Sequence, residues 1–168
     1  MLALVDGVPR TLSLKEILHY YVLHQIEVIV RRTKFDLEKA EARAHILEGL
    51  LIALDNIDEV IKLIRASHDN KEALAGLMSR FGLSQIQGEA ILEMRLRRLT
   101  GLEREKLESE LKDLLEKIDY YKKVLADEGL QRQVIKEEMQ EIKQRFGTKR
   151  LTELCDHEAR TLEVEDLI

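Results

Sequence analysis

Apolar residues recur at alternating three- and four-residue steps along two long stretches of the chain. The first stretch covers residues 47–64, and the second covers residues 107–125 and resumes in the same register over residues 135–146. Such spacing aligns the apolar side chains in one narrow seam along a helix, and a seam of this kind packs against a partner helix. Because only roughly 40 residues separate the two seams, the chain must turn around between them, so the pattern predicts an antiparallel two-helix coiled coil.

The first seam lies in a helix whose start is marked in the sequence. Ser13 followed by Glu16 is a capping box, in which each side chain bonds the backbone N–H of the other residue. Before it, Asp6 and Gly7 predict a turn between two short strands, and because such a pair is marginally stable alone we expect neighbouring structure from a larger protein. The second seam is interrupted at residues 127–129, where we predict a break that acts as an elbow.

Capping signals between the two seams predict short helices that form a small head. Asp69 caps one helix that ends at Gly82, and Ser84 with Gln87 caps the next. Gly88 lies early in this second helix, where a better helix former is expected. The second helix carries apolar residues on more than one side, so part of its surface is predicted to meet a second molecule.

The predicted fold class is all-α, a long antiparallel two-helix coiled coil with a small helical globular head at its tip and minor β structure at the N-terminus. One proline and eight glycines in 168 residues leave long stretches free for helices. The predicted segments are a strand and turn remnant (1–12), the first coiled-coil helix (13–66), the head (67–102), the return helix (103–146) and a linker towards a C-terminal domain (147–168).

A polar layer is predicted in the middle of the coiled coil. Antiparallel alignment of the seams pairs Leu47 with Leu125 and thereby places the seam residue Glu128 opposite Arg43. We expect these two side chains to form an ion pair, with Arg132 one turn further along. Polar residues in a seam lower stability but fix the register of the two helices.

Charge and composition narrow the function classes. The formal charge of −5 argues against a domain built chiefly to grip phosphate backbones, which needs a concentrated basic excess. The single cysteine, Cys155, has no partner for an internal disulfide and no obvious base beside it. No apolar run approaches the roughly 20 residues of a membrane span, so we expect a cytoplasmic protein without a membrane partner.

The sequence contains no pattern typical of an active site. His45 lies within the helical pattern, and a lone helical histidine is interpreted as structural. His19 and His24 point in different directions on a helix, which is unsuitable for a metal pair. Because the sequence also lacks a glycine-rich phosphate loop and a nucleophile–base arrangement, we predict no catalytic, cofactor-binding or metal-binding residue in this chain.

Four long strings of the sequence resemble one protein family. They are RRTKFDLEKAEARAHILEGL (31–50), IDEVIKLIRAS (57–67), GLMSRFGLSQIQGEAILEMRLRRLTGLEREKL (76–107) and EIKQRFG (141–147). These strings resemble the A subunits of DNA gyrase, a bacterial type IIA topoisomerase, and they resemble the corresponding subunit of topoisomerase IV less well. The resemblance covers nearly the whole chain.

The resemblance implies a mechanical role for this segment. In the family it is a coiled-coil arm whose terminal head meets the head of a second subunit. The two heads form the exit gate, or C-gate, which opens to release the transported DNA duplex. By this match, the residues expected at the homodimer contact are Ile91, Met94, Arg95, Leu96, Leu99 and Leu102.

The resemblance also implies which functions lie elsewhere in the parent enzyme. The parent is an ATP-hydrolysing topoisomerase that acts on double-stranded DNA together with the gyrase B subunit. ATP and magnesium belong to other domains and subunits, so no cofactor is expected in this chain. The nucleophilic tyrosine of the family follows an arginine in a winged-helix domain, and none of the four tyrosines here has that setting. This chain alone is therefore expected not to cleave DNA.

Three other interpretations of the helical arm stay open. Within the family, it is the corresponding arm of topoisomerase IV. A nucleic-acid-binding arm is a different class, but it needs a basic stripe, and the interleaved acidic residues argue against one. A passive scaffold differs from a gate only in whether the head self-associates reversibly.

Overall fold

A short hairpin followed by helices makes up the described part of the chain. The computed structural model describes residues 1–94 and 101–152; for residues 101 and 102 it describes the backbone and not the side chains. The strands are β1 (Leu2–Val5) and β2 (Val8–Thr11), and the helices are α1 (Leu14–Asp55), α2 (Ile57–Ala66), α3 (Asn70–Phe81), α4 (Gln85–Leu92), α5 (Gly101–Ala126) and α6 (Glu128–Phe146). The predicted all-α class with minor N-terminal β structure is confirmed. Across the described ranges, no helix combines the length and the apolar content that crossing a bilayer requires.

The N-terminal hairpin forms where the turn signal predicts it. β1 and β2 pair antiparallel, with Leu2 opposite Thr11. Asp6 and Gly7 have φ angles of 51° and 76°, and two successive positive φ values are typical of the tight turns whose twist matches that of paired strands.

The capping boxes at the starts of α1 and α4 are also present. At the start of α1, the Ser13 N–H donates to the Glu16 carboxylate at 2.7 Å, and the Glu16 N–H donates to Ser13 Oγ at 3.4 Å. Each bond satisfies a backbone donor that has no partner within the helix. These hydrogen bonds therefore define where α1 begins.

The first long helix differs from its prediction, because residues 13–66 form two helices. α1 ends at Asp55, and Asn56 has φ −120° and ψ 34°, outside the helical region. The Asn56 side chain donates to the Ile52 carbonyl at 2.9 Å, which satisfies an acceptor near the end of α1. The break allows α2 to pack against α3, so α2 belongs to the head.

α1 and α5 pack against each other and join the head through a shared core. Asp55 near the end of α1 pairs with Arg104 near the start of α5, and Glu41, earlier in α1, pairs with Lys122, later in α5. The two helices are therefore antiparallel. A second cluster joins the two helices further from the head. The head core consists of Leu47, Leu50, Ala53, Val60, Leu77, Leu83, Ile91 and Leu107, and the second cluster of Ala40, Ala44 and Ile118.

The register of α1 against α5 differs from the predicted one. Ala44 packs with Ile118, whereas pairing Leu47 with Leu125 would place Ala44 beyond the end of α5. The predicted register assumes one continuous helix through Ile64, and it is wrong because α1 ends at Asp55. The apolar spacing continues across the break at Asn56, but the residues after it contribute to the head.

The second long helix is interrupted where the break is predicted. α5 ends at Ala126, and α6 begins after Asp127. Asp127 Oδ1 accepts the Gly129 N–H at 2.7 Å, so Asp127 caps the new helix. Whether the chain bends here as an elbow stays a prediction.

The chain divides into two compact units, residues 1–135 and residues 136–168. The first contains the hairpin, the head and the α1–α5 pair. In the second, α6 ends at Phe146, and Ile142 and Phe146 are largely exposed. Of the predicted linker, residues 153–168, including Cys155, lie outside the described residues.

Candidate functional site: the head and its attachment to α1

A buried glutamine attaches α4 of the head to α1. Gln87, in the first turn of α4, is only 6% exposed. Its Nε2 donates to the backbone carbonyl of His45 at 2.7 Å and lies 3.4 Å from His45 Nδ1. Its Oε1 accepts the backbone N–H of Ser84 at 2.9 Å. Gln87 therefore caps its own helix and binds α1 at the same time.

His45 completes this connection from the side of α1. Its Nε2 lies 2.7 Å from Ser84 Oγ, and the same oxygen accepts the Gln87 backbone N–H at 3.3 Å. Because Ser84 is the N-cap residue of α4, His45 contacts the helix end itself. These contacts agree with the structural role predicted for His45. We call the contacts of Gln87 with His45 and Ser84 the Gln87 bridge.

Two glycines allow α4 to approach its neighbours closely. A Cβ atom at Gly49 of α1 would lie 2.6 Å from Cγ and 2.7 Å from Cβ of Gln87, closer than packed carbon atoms can come. A Cβ at Gly88 of α4 would lie 2.5 Å from Leu74 Cδ1 of α3. The position of Gly88, unexpected from helix propensity, is explained by this contact. α4 is thus held between α1 and α3.

Of the six residues predicted at the dimer contact, the structure describes the side chains of two. Ile91 is 3% exposed within the head core, so it supports the head of its own chain and is not available at the surface. Met94, just after α4, is partly buried and packs against the same core. Arg95, Leu96, Leu99 and the side chain of Leu102 lie outside the described residues, and the dimer contact stays a prediction.

The apolar residues of α4 face in two directions, as its sequence predicts. Ile91 points into the head core, whereas Ile86 in the first turn is 59% exposed. Exposed apolar side chains are common singly on protein surfaces. Ile86 is therefore accessible to a second molecule, but its exposure alone identifies no partner.

Arg43 of the predicted polar layer pairs with a different residue. It donates from Nε to Glu110 Oε1 at 2.8 Å and from Nη2 to Oε2 at 3.1 Å. These hydrogen bonds to Glu110 raise the pKa of Arg43 above its ordinary value. Arg132 instead lies 4.0 Å from Glu128 within α6. The predicted Arg43–Glu128 pair is wrong because the register of α1 against α5 differs from the predicted one.

In the ion pairs between α1 and α5, the helix that carries the positive side chain alternates from one pair to the next. α1 supplies an acidic, a basic and an acidic residue in turn, and α5 supplies the opposite charges. All these side chains are roughly half exposed, so each pair contributes little to stability. The pairs are Asp55–Arg104 at 2.7 Å, Arg43–Glu110 at 2.8 Å and Glu41–Lys122 at 2.8 Å.

Neither of two features of polar sites is present in the described residues, namely clusters of metal ligands and buried polar atoms without a partner. Within residues 1–94 and 101–152, no group of three or more His, Cys, Asp or Glu side chains is placed to hold a metal ion. In the same ranges, every buried side-chain nitrogen or oxygen has a hydrogen-bond partner.

The contact between Gln87 and His45 is the feature that sequence reasoning missed. The sequence predicts the capping box of Ser84 and Gln87 and a structural role for His45, but no local pattern connects the two. Gly49 is the signal that could have done so. A glycine in the interior of a helix commonly marks a close approach of another chain segment, and this one lies one turn after His45.

Known proteins match this chain over its full length. Residues 1–140 match the model of the family described as DNA gyrase/topoisomerase IV, A subunit. Over 168 residues the chain is 59% identical to the DNA gyrase A subunit of Streptococcus pneumoniae serotype 4. The identity is 57% to the gyrase A subunit of Streptococcus pyogenes serotype M1 and 54% to that of Clostridium acetobutylicum. In each comparison all of this chain is matched, and it spans 20% of the length of the relative.

Proposed function

The chain belongs to the family of DNA gyrase and topoisomerase IV A subunits, and from this premise we propose that it is the exit-gate module of a gyrase. In this proposal, the heads of two such chains meet and close the gate. Separation of the heads releases the transported DNA duplex, and their return closes the gate again. The work of the module is mechanical and needs no catalytic residue.

The observation that carries the proposal is the attachment of α4 to α1. Met94 and the predicted contact residues after it follow directly from α4. α4 is held on α1 by the Gln87 bridge and by the close fit at Gly49. A head fixed in this way transmits a displacement of the dimer contact to the α1–α5 pair, because packed helices move as rigid elements. A gate needs such a connection.

We infer the other activities of the parent enzyme from the family. The parent protein works with the gyrase B subunit on double-stranded DNA and introduces negative supercoils at the expense of ATP. ATP, magnesium and the DNA-cleaving tyrosine belong to other domains, so this chain alone does not cleave DNA. We expect the working unit to contain two A subunits.

The nucleic-acid-binding arm is the weaker alternative because of the charges between α1 and α5. Arg43, Arg104 and Lys122 each bind a carboxylate of the neighbouring helix. Duplex binding requires basic side chains that are free to replace counterions along the phosphate backbone. A topoisomerase IV arm stays the alternative within the family, since the family model includes both enzymes.

The proposal is tested by separating DNA cleavage from DNA passage. We would introduce Leu96→Asp and Leu99→Asp together into the full-length parent protein, combined with the gyrase B subunit. Carboxylates buried in the head contact weaken it by several kcal/mol, so supercoiling should fall by more than about tenfold. DNA cleavage, which depends on other domains, should persist.

The control is Leu115→Asp, which places one carboxylate at a residue of α5 that is 48% exposed. This variant should supercoil DNA as well as the unaltered enzyme. Unchanged supercoiling by the Leu96 and Leu99 variant would contradict the proposal. Equal loss of cleavage and supercoiling would also contradict it, because the substitutions would then act on the chemistry of the enzyme and not on the gate.

A further inference from the structure

A second apolar stripe runs along the first half of α1. Its members follow one another at steps of seven residues, so they share one side of the helix. Three of them are large and largely exposed, and the fourth is partly buried. In chain order they are Leu14, Tyr21, Val28 and Phe35, with Val28 the partly buried one. We call these four residues the α1 stripe.

The α1 stripe lies on a different side of α1 from the face that packs against α5. Ala40 belongs to the cluster that joins α1 to Ile118 of α5, and it comes five residues after Phe35. Five residues turn an α-helix by about 140° beyond one full turn. A helix packed on the Ala40 side therefore leaves the α1 stripe uncovered, as the exposure of Phe35 shows.

The regular spacing distinguishes the α1 stripe from scattered surface residues. Single exposed apolar side chains are common on proteins and need no partner. Apolar residues at successive seven-residue steps form the repeat with which one helix packs along another. The spacing therefore indicates a helix as the structure that covers the stripe.

The same side of α1 already carries a packed helix further along. Two more steps of seven residues lead from Phe35 to Ala42 and then to Gly49. Ala42 is exposed, whereas Gly49 lies under Gln87 of α4, where a Cβ atom would be 2.6 Å from Gln87 Cγ. α4 thus occupies the end of this side that lies in the head, and the α1 stripe continues it.

Basic side chains lie among the apolar residues of the stripe. Arg32 follows Val28 by four positions, and Lys39 follows Phe35 by four, so both lie one turn further along the same side. Lys39 Nζ is 4.4 Å from the centre of the Phe35 ring, which places this cation at the stripe itself. Charges beside an apolar seam select a partner helix that carries the opposite charge.

We propose that the α1 stripe is the docking surface for an amphipathic helix of the parent A subunit that lies outside this chain. That helix carries apolar residues at heptad spacing and carboxylates opposite Arg32 and Lys39. The chain spans 20% of the length of its gyrase A relative from Streptococcus pneumoniae, so a protein of that length has ample further chain to supply it. The docked helix holds the first half of α1, and this role does not depend on the proposed gate.

Hydroxyl-radical footprinting read by mass spectrometry tests the proposal without altering the surface. Tyr21 and Tyr120 are a matched pair, since they are 48% and 47% exposed and lie on α1 and α5. Their oxidation is compared between the 168-residue chain and the full-length parent A subunit alone. Because an interface core excludes water, oxidation of Tyr21 should slow by more than about threefold in the full-length subunit. Oxidation of Tyr120 should not slow in this way.

Three variants of the full-length subunit test the chemistry of the docked helix. Phe35→Asp places a carboxylate within the apolar contact, so Tyr21 should be oxidised about as fast as in the 168-residue chain. Lys39→Glu should speed the oxidation of Tyr21, because it brings like charges together. Lys34→Glu is the control for Lys39→Glu, since Lys34 is exposed on a different side of α1; it should leave the protection intact.

Equal oxidation of Tyr21 in the 168-residue chain and in the full-length subunit would overturn the proposal, and so would equal protection of Tyr120. Protection that grows with the concentration of the 168-residue chain would assign the stripe to a second copy instead. Protection that appears only after addition of the gyrase B subunit would assign it to that subunit. Equal effects of Lys34→Glu and Lys39→Glu would refute the acidic partner.

The docking surface is separated from the proposed gate by one further variant. Leu96→Asp with Leu99→Asp in the full-length subunit should leave the protection of Tyr21 unchanged, even where it abolishes supercoiling. Loss of that protection in this variant would show that the protection comes from the contact between heads, and it would overturn the docking proposal.

Discussion

Replacing Gly49 by alanine tests whether the close approach of α4 to α1 holds the head in place. Alanine favours the interior of a helix over glycine by about 0.5–1 kcal/mol. If nothing packed against this position, Gly49→Ala would therefore stabilise the chain. The structure places Cγ and Cβ of Gln87 at 2.6 and 2.7 Å from the new Cβ atom, so the opposite result is expected.

The magnitude follows from what must move. Gln87 Cβ is attached directly to the backbone of α4, so the clash cannot be relieved by rotation of a side-chain end. Overpacking of this kind costs about 1–3 kcal/mol. A shift of α4 also stretches the buried hydrogen bond from Gln87 to the His45 carbonyl, at a cost of about 1–3 kcal/mol. After subtraction of the propensity gain, we expect a net loss of about 1–5 kcal/mol.

Urea denaturation followed by circular dichroism measures this loss. The control is Gly129→Ala, where the new Cβ would lie 3.1 Å from Asp127 Oδ1; this carboxylate caps α6, but it belongs to an exposed side chain and needs to give way by only a few tenths of an ångström. We expect that control to change the free energy of unfolding by less than about 0.5 kcal/mol. If Gly49→Ala were as stable as the unaltered chain, or more stable, the inferred packing of α4 on α1 would be refuted.

Two further predictions concern electrostatics. A double-mutant cycle of Arg43→Ala and Glu110→Ala should give a coupling energy of up to about 1 kcal/mol. A cycle of Arg43→Ala and Glu128→Ala should give none. Coupling of Arg43 to Glu128 and not to Glu110 would support the register predicted from the sequence. Hydrogen bonds from Ser13 lower the pKa of Glu16. The capping box should therefore stabilise the first turn of α1 fully at any pH above the ordinary pKa of glutamate. This stabilisation should be lost as the pH falls through the lowered pKa of Glu16. Amide exchange near Glu16 that is equally fast at pH 7 and pH 3, after intrinsic correction, would contradict this.

The elements whose signals are local could be predicted from the sequence. The capping box of Ser13 and Glu16 and the turn at Asp6 and Gly7 depend on residues within a few positions of one another. Their hydrogen bonds and φ angles are those that the residue types favour. Predictions of this kind succeed because no distant contact competes with the local one.

The register and the Gln87 bridge depend on distant contacts, and local patterns do not encode them. The apolar spacing of α1 continues smoothly into α2, so periodicity alone does not reveal that the helix breaks at Asn56. The break determines which residues of α1 can pair with α5. It therefore also determines the partner of Arg43. Gln87 satisfies a capping motif by itself, which conceals its second contact with His45, 42 residues away in sequence.

The most direct test of the proposed gate is sedimentation equilibrium of this chain over a concentration series. The chain should form a reversible dimer, and Leu96→Asp with Leu99→Asp should abolish it, while Leu115→Asp should leave it unchanged. A moderate affinity is expected, because a gate contact must both close and open. A chain that stays monomeric at every concentration, or a Leu96 and Leu99 variant that dimerises as well as the unaltered chain, would contradict a gate formed by these heads.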